Sequence, residues 1–535
     1  MQNSDVRILG LLLALGNIGF AQSGSVVNAA DVAQSFSNSV ASSSLSSAVG
    51  PTELAPGSLA IINTFAAASS RPDGMNATVS VRSVGAATPI AAQVVALDLN
   101  TITFVVPKET PIGPAQLIYR EQGDVTKWIE IAVVPARFAL FRSSMPGPAR
   151  AQVINPDGTA SLNGLAAPAK PGRVVVLWGS GLGATPLSDI SVSLGGVTQT
   201  LLYAGRSGSL PGIDQINFQV TAGAPDGCYV PLTVNYGRVS TTSFLSKSSD
   251  GSPCAHPWQL SATDLRNLDF GGAIKAGLIN LSSSLAAVSA DHASRQESAS
   301  VVFQDLRAAD IAAYFAAAPS AFGCSLPAAT GTSAVFGRIG NPFPSSSSFN
   351  NQMTLTSGSR SLSFSPPLYS APLTISADTP FSAVPPPLIA GGQWMWSASG
   401  GSLLPASSFT FTLASPMQIK GPAVLNFASA DDQIVTWDGA GYGAGAVVTA
   451  KLTGPGLTFL GGAALLTCAA PARDGALVIP KSLLSRISAT AATLNVSVNE
   501  ALSEASHAQF RLANGDTLLI LVNPASTDSR PVDIQ

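Results

Sequence analysis

The chain has 535 residues, 46% of them hydrophobic and only 11% charged, with a formal net charge of −3. An average soluble protein carries about 25% charged residues, so the polar surface here comes from Ser, Thr, Gly, Asn and Gln, which suits a loop-rich all-β exterior. With 27 Lys plus Arg against 30 Asp plus Glu there is no basic face to neutralise phosphates, which argues against nucleic acid as a partner.

The length allows roughly three to four domains. At the N-terminus Arg7 precedes the apolar run 8–15, and Gly19 and Ala21 give an A-x-A-like cleavage site before Gln22. This reads as a signal peptide over 1–21, although Asp5 offsets Arg7 and a buried N-terminal strand is the alternative. The run is shorter than the ~18 apolar residues of a spanning helix, and no later run reaches that length. The expectation is an exported protein, extracellular or at the cell surface, with no membrane span in the mature chain.

A diverged internal repeat follows. Pro56-Gly57 matches Pro171-Gly172, Ile102-Thr103-Phe104-Val105-Val106 matches Ile216-Asn217-Phe218-Gln219-Val220, and Pro111-Ile112-Gly113 matches Pro225-Asp226-Gly227. All three anchors recur at a spacing of about 115 residues, close to one Ig-sized domain. The repeat sets domains at 22–137, a degenerate copy, and 138–250, the clearer one. In the second copy short apolar runs at 174–178, 190–194, 201–203, 216–220, 229–236 and 239–245 are separated by turn residues such as Gly195-Gly196, Pro211-Gly212 and Asp226-Gly227. This is the pattern of an all-β sandwich.

From about residue 252 the pattern changes. Residues 265–268 and 305–315 suit short helices in an Ala-rich context. Residues 341–351 read as a loop, Pro385–Pro387 as a stiff connector, and 353–355, 362–364, 373–375 and 393–396 as strands. This mixed β-rich domain spans 251–420. A last sandwich, 421–535, has strand candidates at 434–437, 446–452, 464–468, 477–479, 493–498 and 517–522, with a helical turn at 480–487 that begins at Pro480.

The second repeat carries Asn155-Pro156-Asp157-Gly158-Thr159, Pro168-Ala169-Lys170-Pro171-Gly172, Leu177-Trp178-Gly179-Ser180-Gly181-Leu182-Gly183, Leu202-Tyr203-Ala204-Gly205 and Asp214-Gln215-Ile216-Asn217-Phe218-Gln219-Val220. In these motifs residues 138–245 resemble the Ig-like (IPT/TIG-related) C-terminal domain family of secreted proteins of soil acidobacteria. The first repeat looks like a degraded copy, with Asn63-Thr64-Phe65 in place of the glycine turn. The stretch from Cys254-Ala255-His256-Pro257 is similar to regions that follow such domains. The resemblance implies an Ig-like sandwich and carries no catalytic residue onto this sequence.

Four cysteines in an exported chain predict two disulfides. Three pairings are possible. Cys228–Cys254 is favoured because it ties the last strands of one sandwich to the start of the next segment, and Cys324–Cys468 follows by elimination. Zinc is disfavoured by the absence of C-x-x-C and by three scattered histidines, His256, His292 and His507.

Other motifs have bland readings. Gly179-Ser180-Gly181-Leu182-Gly183 is spaced G-x-G-x-G and is followed by Ala184-Thr185-Pro186 rather than a helix, so it reads as a tight turn and not a dinucleotide loop. No serine lies in G-x-S-x-G. Asp431, Asp432 and Asp438 fit turn carboxylates better than calcium ligands. Trp394 and Trp396, two apart on a strand, share one face. Exposed they would form a platform for sugar rings; buried they would be core, the more usual place for Trp.

The sequence thus predicts an all-β protein of multiple Ig-like β-sandwich domains with a mixed β-rich middle segment. Its expected role is structural or adhesive, not catalytic and without cofactor, with cell-surface proteins or glycans as possible partners. The alternatives are a carbohydrate-binding protein using Trp394 and Trp396, and a hydrolase of unrecognised type in the middle segment. Fold alone does not decide between them.

Overall fold

The computed structural model describes residues 25–28, 52–63, 77–98, 101–121, 126–142, 148–237, 239–287, 291–308, 310–312, 323–325, 341–342, 352–365, 370–380, 386–443, 446–454, 464–487, 491–499 and 507–535, together with 289 and 383–384. The expected signal peptide and most of the expected loop at 341–351 lie outside the described residues. The protein is all-β, and the chain divides into two compact units, Met1–Phe270 and Gly271–Gln535.

The first unit begins with β1 (Ser25–Asn28), β2 (Thr52–Leu54), β3 (Leu59–Asn63), β4 (Ala77–Ser83), β5 (Ile90–Asp98), β6 (Thr101–Val105), β7 (Gly113–Glu121) and β8 (Lys127–Val133). It continues with β9 (Ala139–Leu140), β10 (Ala151–Ile154), β11 (Ala160–Leu162), β12 (Val174–Ser180), β13 (Ile190–Leu194), β14 (Val197–Thr198), β15 (Thr200–Arg206), β16 (Asp214–Gln219), β17 (Gly227–Tyr236) and β18 (Val239–Lys247). The two halves share one strand arrangement. The run β3-β6-β5 corresponds to β12-β16-β15, and β4-β7-β8 to β13-β17-β18. The repeat read in the sequence is therefore a repeat of topology. Each strand alternates in and out with the pleat: in β17, Cys228, Val230, Leu232, Val234 and Tyr236 are buried while their neighbours are not.

The segment after β18 belongs to this unit rather than to the next, so the boundary expected at 251 moves to about 270. Three contacts hold it there. Cys228 and Cys254 are disulfide-bonded. His256 packs edge-on against Tyr229, with ring centroids 5.6 Å apart. Helix α1 (Ala262–Asp269) opens on a Ser261/Asp264 capping box. At its end Asp269 accepts the N–H groups of Leu165 and Ala166, each at 2.8 Å.

Among the described residues of the second unit, two large hydrophobic cores lie on one long sheet. Its strands are β19 (Ala273–Ala287), β20 (His292–Arg307), β21 (Gly323–Ser325), β22 (Asn341–Pro342), β23 (Met353–Ser357), β24 (Arg360–Phe364), β25 (Ser370–Pro380), β26 (Gly392–Ala398) and β27 (Ser407–Leu413). They continue with β28 (Leu425–Phe427), β29 (Gln433–Thr436), β30 (Val447–Thr453), β31 (Ala464–Pro471), β32 (Ala476–Ile479), a short helix α2 (Lys481–Leu484), β33 (Ala491–Asn499), β34 (His507–Arg511) and β35 (Thr517–Ile534). The long sheet runs β21-β31-β30-β33-β35-β19-β20-β22. The sheet β24-β23-β26-β27 covers the first core, where Ile279, Val301, Trp396, Leu518 and Ile520 meet. The second core gathers Trp437, Val448, Leu494, Val532 and Ile534.

Three expectations are corrected here. Residues 305–315 were expected to be a helix. Instead β20 runs on to Arg307, paired with β19 from Ala273↔Arg307 to Ala287↔Ala293; 308 and 310–312 are helical, and the rest of the run lies outside the described residues. Ladder pairing along all of β19 overrides the local alanine preference. The strand expected at 517–522 extends to Ile534. Lastly, the 421–535 segment is not self-contained, because Leu512, Leu518, Ile520 and Val522 lie in the core of the preceding segment.

The inward row of β35 explains how one sheet serves two cores. It is apolar at Leu518, Ile520 and Val522, polar at Ser526, Asp528 and Arg530, and apolar again at Val532 and Ile534, all buried. Ser283 and Leu285 of β19 and Arg295 and Glu297 of β20 lie in register with Ser526 and Asp528. Two loops cross this polar belt. Met417 and Ile419 donate their N–H groups to Ser526 Oγ and Asp528 Oδ2, both at 2.8 Å. Leu388 and Ile389 donate theirs to the Glu297 carboxylate at 2.8 and 3.1 Å. Arg530 donates to Asp528 Oδ1 and Oδ2 at 2.6 and 2.8 Å and to the carbonyls of Pro422 and Ile419 at 2.9 and 3.2 Å. Both side chains are 0% exposed.

Removing one partner of such a pair strands a buried charge. Arg530→Met should lower stability by about 3–5 kcal/mol, whereas Asp528→Leu with Arg530→Met should cost less than either single change. Urea unfolding of the three variants measures this, and a double variant as unstable as the sum of the singles would contradict it.

Candidate functional site

The glycine turn and the Asp214–Val220 segment, the two strongest sequence signals, meet at the joint between the two sandwiches of the first unit. Gly179 near the end of β12 pairs with Asp214 at the start of β16. Asp214 Oδ2 accepts the Leu182 N–H at 2.7 Å, and Oδ1 faces Arg206 Nη1 at 3.0 Å. Arg206 then reaches across the joint, donating through Nη2 to the Pro56 carbonyl at 2.8 Å. Ser180 Oγ accepts the Leu59 N–H and donates to the Gly212 carbonyl, both at 2.8 Å. Beneath these bonds Leu59 of the first sandwich packs with Ala139, Phe141, Leu210 and Ile213 of the second. Gly183 sits at φ +60°, and a Cβ there would lie 1.9 Å from the Pro135 carbonyl oxygen, so only glycine fits the turn.

Asp214 is 1% exposed. Burial pushes its carboxyl above the ordinary carboxylate range, and Arg206 and the amides of Leu182 and Gly181 pull it back down. A raised acid favours the protonated folded state. Its contribution is therefore complete below the unfolded value and is lost as pH rises through the folded one. Arg206 limits that loss at neutral pH.

Beside this joint a cleft of about 750 Å³ opens between the two sandwiches. Pro56, Pro111, Pro135 and Pro186 form much of its wall, with Lys108, Arg206 and Asp189 as charged groups. Its size is that of a small-ligand pocket; Arg206 is engaged with Asp214 and Pro56 and Asp189 with the Ser188 hydroxyl at 3.1 Å, while Lys108, 3.7 Å from Glu109, is largely exposed.

The structure places the other singled-out residues as follows. Trp394 and Trp396 do share one face of β26, but they are 1% and 0% exposed and lie in the first core of the second unit. Trp396 touches Phe409 and Phe510, with centroids 5.7 and 5.5 Å away. The sugar platform expected from this pair is thus corrected to a core pair, because a ring enclosed on both faces cannot stack on a ligand. All four cysteines are bonded as expected, Cys228 to Cys254 and Cys324 to Cys468, the latter directly opposite one another on β21 and β31. Asp432 Oδ1 accepts the Lys481 N–H and Asp438 Oδ1 the Ala440 N–H, which makes both loop-fastening groups. Among the described residues no group of three or more His, Cys, Asp or Glu side chains is placed to hold a metal ion. His256 Nδ1 accepts the Trp258 N–H at 3.1 Å between two aromatic rings. No helix among the described residues is long and apolar enough to cross a membrane.

Sequence reasoning missed Arg206 and took Pro56 only as a repeat anchor, not as its acceptor. Arg206 had no motif of its own, and the signal that could have found it was a lone cation eight residues before the buried-strand Asp214.

No family model matches the chain, and no curated protein matches it. Among solved structures the chain is similar to a Bacteroides ovatus SGBP-B from a mixed-linkage glucan utilization locus, in complex with a mixed-linkage heptasaccharide, at 10% identity and a TM-score of 0.14, covering 96% of this chain and 99% of that one. It is also similar to Sidekick-1 immunoglobulin domains 1–4 at 8% identity and a TM-score of 0.13, covering 92% and 98%. A third similarity, to the eight N-terminal Ig domains of Down Syndrome Cell Adhesion Molecule, has 11% identity and a TM-score of 0.12, covering 90% and 53%. At these scores none of them bears on function.

Arg206→Met should leave Asp214 buried without its cation. Because Arg206 is 38% exposed, the cost is set below that of a fully enclosed pair, at about 2 kcal/mol at pH 7, and falls at pH 3, where Asp214 is protonated, to about the 1 kcal/mol of the lost bond to Pro56. Denaturant unfolding at the two pH values checks this, and a pH-independent difference would refute it.

Proposed function

We propose that this chain is an exported, non-catalytic protein of the cell surface or extracellular space whose Ig-like sandwiches serve a structural or adhesive role. The observation that carries the reading is the joint of the first unit. There the segments that would end in a catalytic or nucleotide-binding loop on other folds instead fasten one sandwich to the next. Ser180 and Asp214 use their polar atoms on Leu59, Gly212, Leu182 and Arg206. The result is a stiff pair of sandwiches, which suits a protein that holds a surface at a distance or presents it to a partner. Two disulfides add support, since such bonds persist in oxidising compartments. His256 also fits, packing between Tyr229 and Trp258 in the segment following the second sandwich.

The reading is tested by expressing the full chain in a bacterial host and probing intact cells and medium with a thiol reagent and an added protease. The expected result is a chain in the medium or on the cell surface, blocked to thiol labelling until it is reduced. A chain retained in the cytosol with reactive cysteines would sink the proposal. Reduction should also lower the thermal midpoint, each bridge contributing about 2–4 kcal/mol; a melting curve unchanged by reductant would contradict that contribution.

A further inference from the structure

The inward half of the Asp214–Val220 segment is accounted for by the core, where Ile216 and Phe218 are 0% exposed. Its outward half is not. Residues Gln215, Asn217 and Gln219 alternate with the buried ones and therefore stand on the outer face of the sheet β11-β10-β12-β16-β15. Strand register sets one row straight across this face: Leu162, Gln152, Val176, Asn217 and Tyr203. At ~4.8 Å per strand the row is about 19 Å wide. Leu162 and Tyr203 stand at its two ends, 60% and 41% exposed, while Val176 at its centre is screened by its neighbours and 6% exposed.

Tyr203 is held in place. Its hydroxyl donates to the Arg206 carbonyl at 2.6 Å, and its ring lies across Gly205, where a Cβ would come within 3.0 Å of the phenolic oxygen. The ring is thus fixed beside an amide ladder rather than free to swing. Gln215 Nε2 donates to Asn217 Oδ1 at 2.8 Å, which orients the Asn217 amide. Every group in the row is uncharged. Two other exposed aromatics among the described residues of this unit differ: Phe270, 85% exposed, caps the end of α1 rather than standing on a sheet, and Trp128, 58% exposed, stands on a sheet face that also carries Arg82, Arg120 and Glu130.

We propose that this face binds a neutral polysaccharide, with Tyr203 stacking on the apolar face of a pyranose ring and Gln152, Asn217 and Gln219 exchanging hydrogen bonds with its hydroxyls. The chemistry selects this occupant. Amide side chains both donate and accept, as sugar hydroxyls do, while a pinned aromatic ring offers a flat apolar surface beside a polar tip. The row itself carries no charge and so offers nothing to a nucleic acid, an anionic lipid or an acidic peptide, although Arg150 stands two residues before Gln152 on the same alternation. The proposal rests on the adhesive reading above and names what is adhered to.

Affinity gel electrophoresis of the full chain through mixed-linkage β-glucan, xylan, xyloglucan and starch tests it. Retardation by at least one of these polymers is expected. Tyr203→Ala and Asn217→Ala should each weaken binding about tenfold, with thermal midpoints within a few degrees of the parent, and Trp128→Ala should bind like the parent. If Tyr203→Ala fails to fold, Asn217→Ala and Gln152→Ala on the same row decide the matter. Retardation insensitive to all of these changes would overturn this face while leaving the adhesive reading intact. No retardation by any of the polymers would overturn the proposal, as would a dimer in solution that Tyr203→Ala dissolves, since the face would then belong to a second copy. The thiol and protease experiment separately decides whether the exported reading stands.

Discussion

The Asp528–Arg530 pair, wholly enclosed, is the constraint on which the second unit depends. A strand face that runs past two cores must cross the gap between them. The loops that pass over that gap bring backbone N–H and C=O groups with no sheet partner. Left unpaired in a dry interior, each would cost on the order of 1–3 kcal/mol. Ser526, Asp528 and Arg530 meet those groups from one side, and Glu297 meets a second loop from the other. The belt carries Arg295, Glu297, Asp528 and Arg530, two charges of each sign, and so adds no net charge to the interior. Burial pushes the Arg295 guanidinium down, while Glu297 and Asp528 hold it charged.

The first unit solves a related problem with fewer groups. Where two sandwiches abut, the turn after β12 exposes amides, and one buried carboxylate collects the Leu182 N–H and a cation that belongs equally to the neighbouring sandwich through Pro56. In both units an ionic side chain fastens an irregular segment instead of performing chemistry. Such pairs add specificity of position more surely than net stability. A well-packed apolar substitute could be as stable, but it would not satisfy the crossing loops.

Much of the β architecture was legible because alternation is local. Residues 216–220 and 229–236 alternate cleanly, and the spacing near 115 residues between the Pro-Gly and Ile-x-Phe anchors marked two copies of one topology. The cysteine pairing followed from position along the chain. Other features were hidden for a common reason. The core-facing positions of β19, β20 and the second half of β35 include Ser283, Arg295, Glu297, Ser526, Asp528 and Arg530, so a reading that expects apolar residues inside sees no strand there. Trp394 and Trp396 were correctly placed on one face, but their spacing is blind to which side of the sheet is covered. Only the packing of Phe409, Phe411 and Phe510 around them answers that. Arg206 acts through a carbonyl 150 residues away, and no local pattern announces such a contact.

The parallel pairing of β19 with β35 has a kinetic meaning. Asn280 and Asn523 sit side by side across that ladder although 243 residues separate them. Closing so long a loop must precede the burial that rewards it. Until β35 arrives, β19 and β33 each present an open edge, and both cores of the unit lack one wall. An emerging chain would therefore hold two unfinished cores through the synthesis of everything between, and then complete both at once with a single strand. Until that strand arrives the open edges of β19 and β33 are places where other chains could pair.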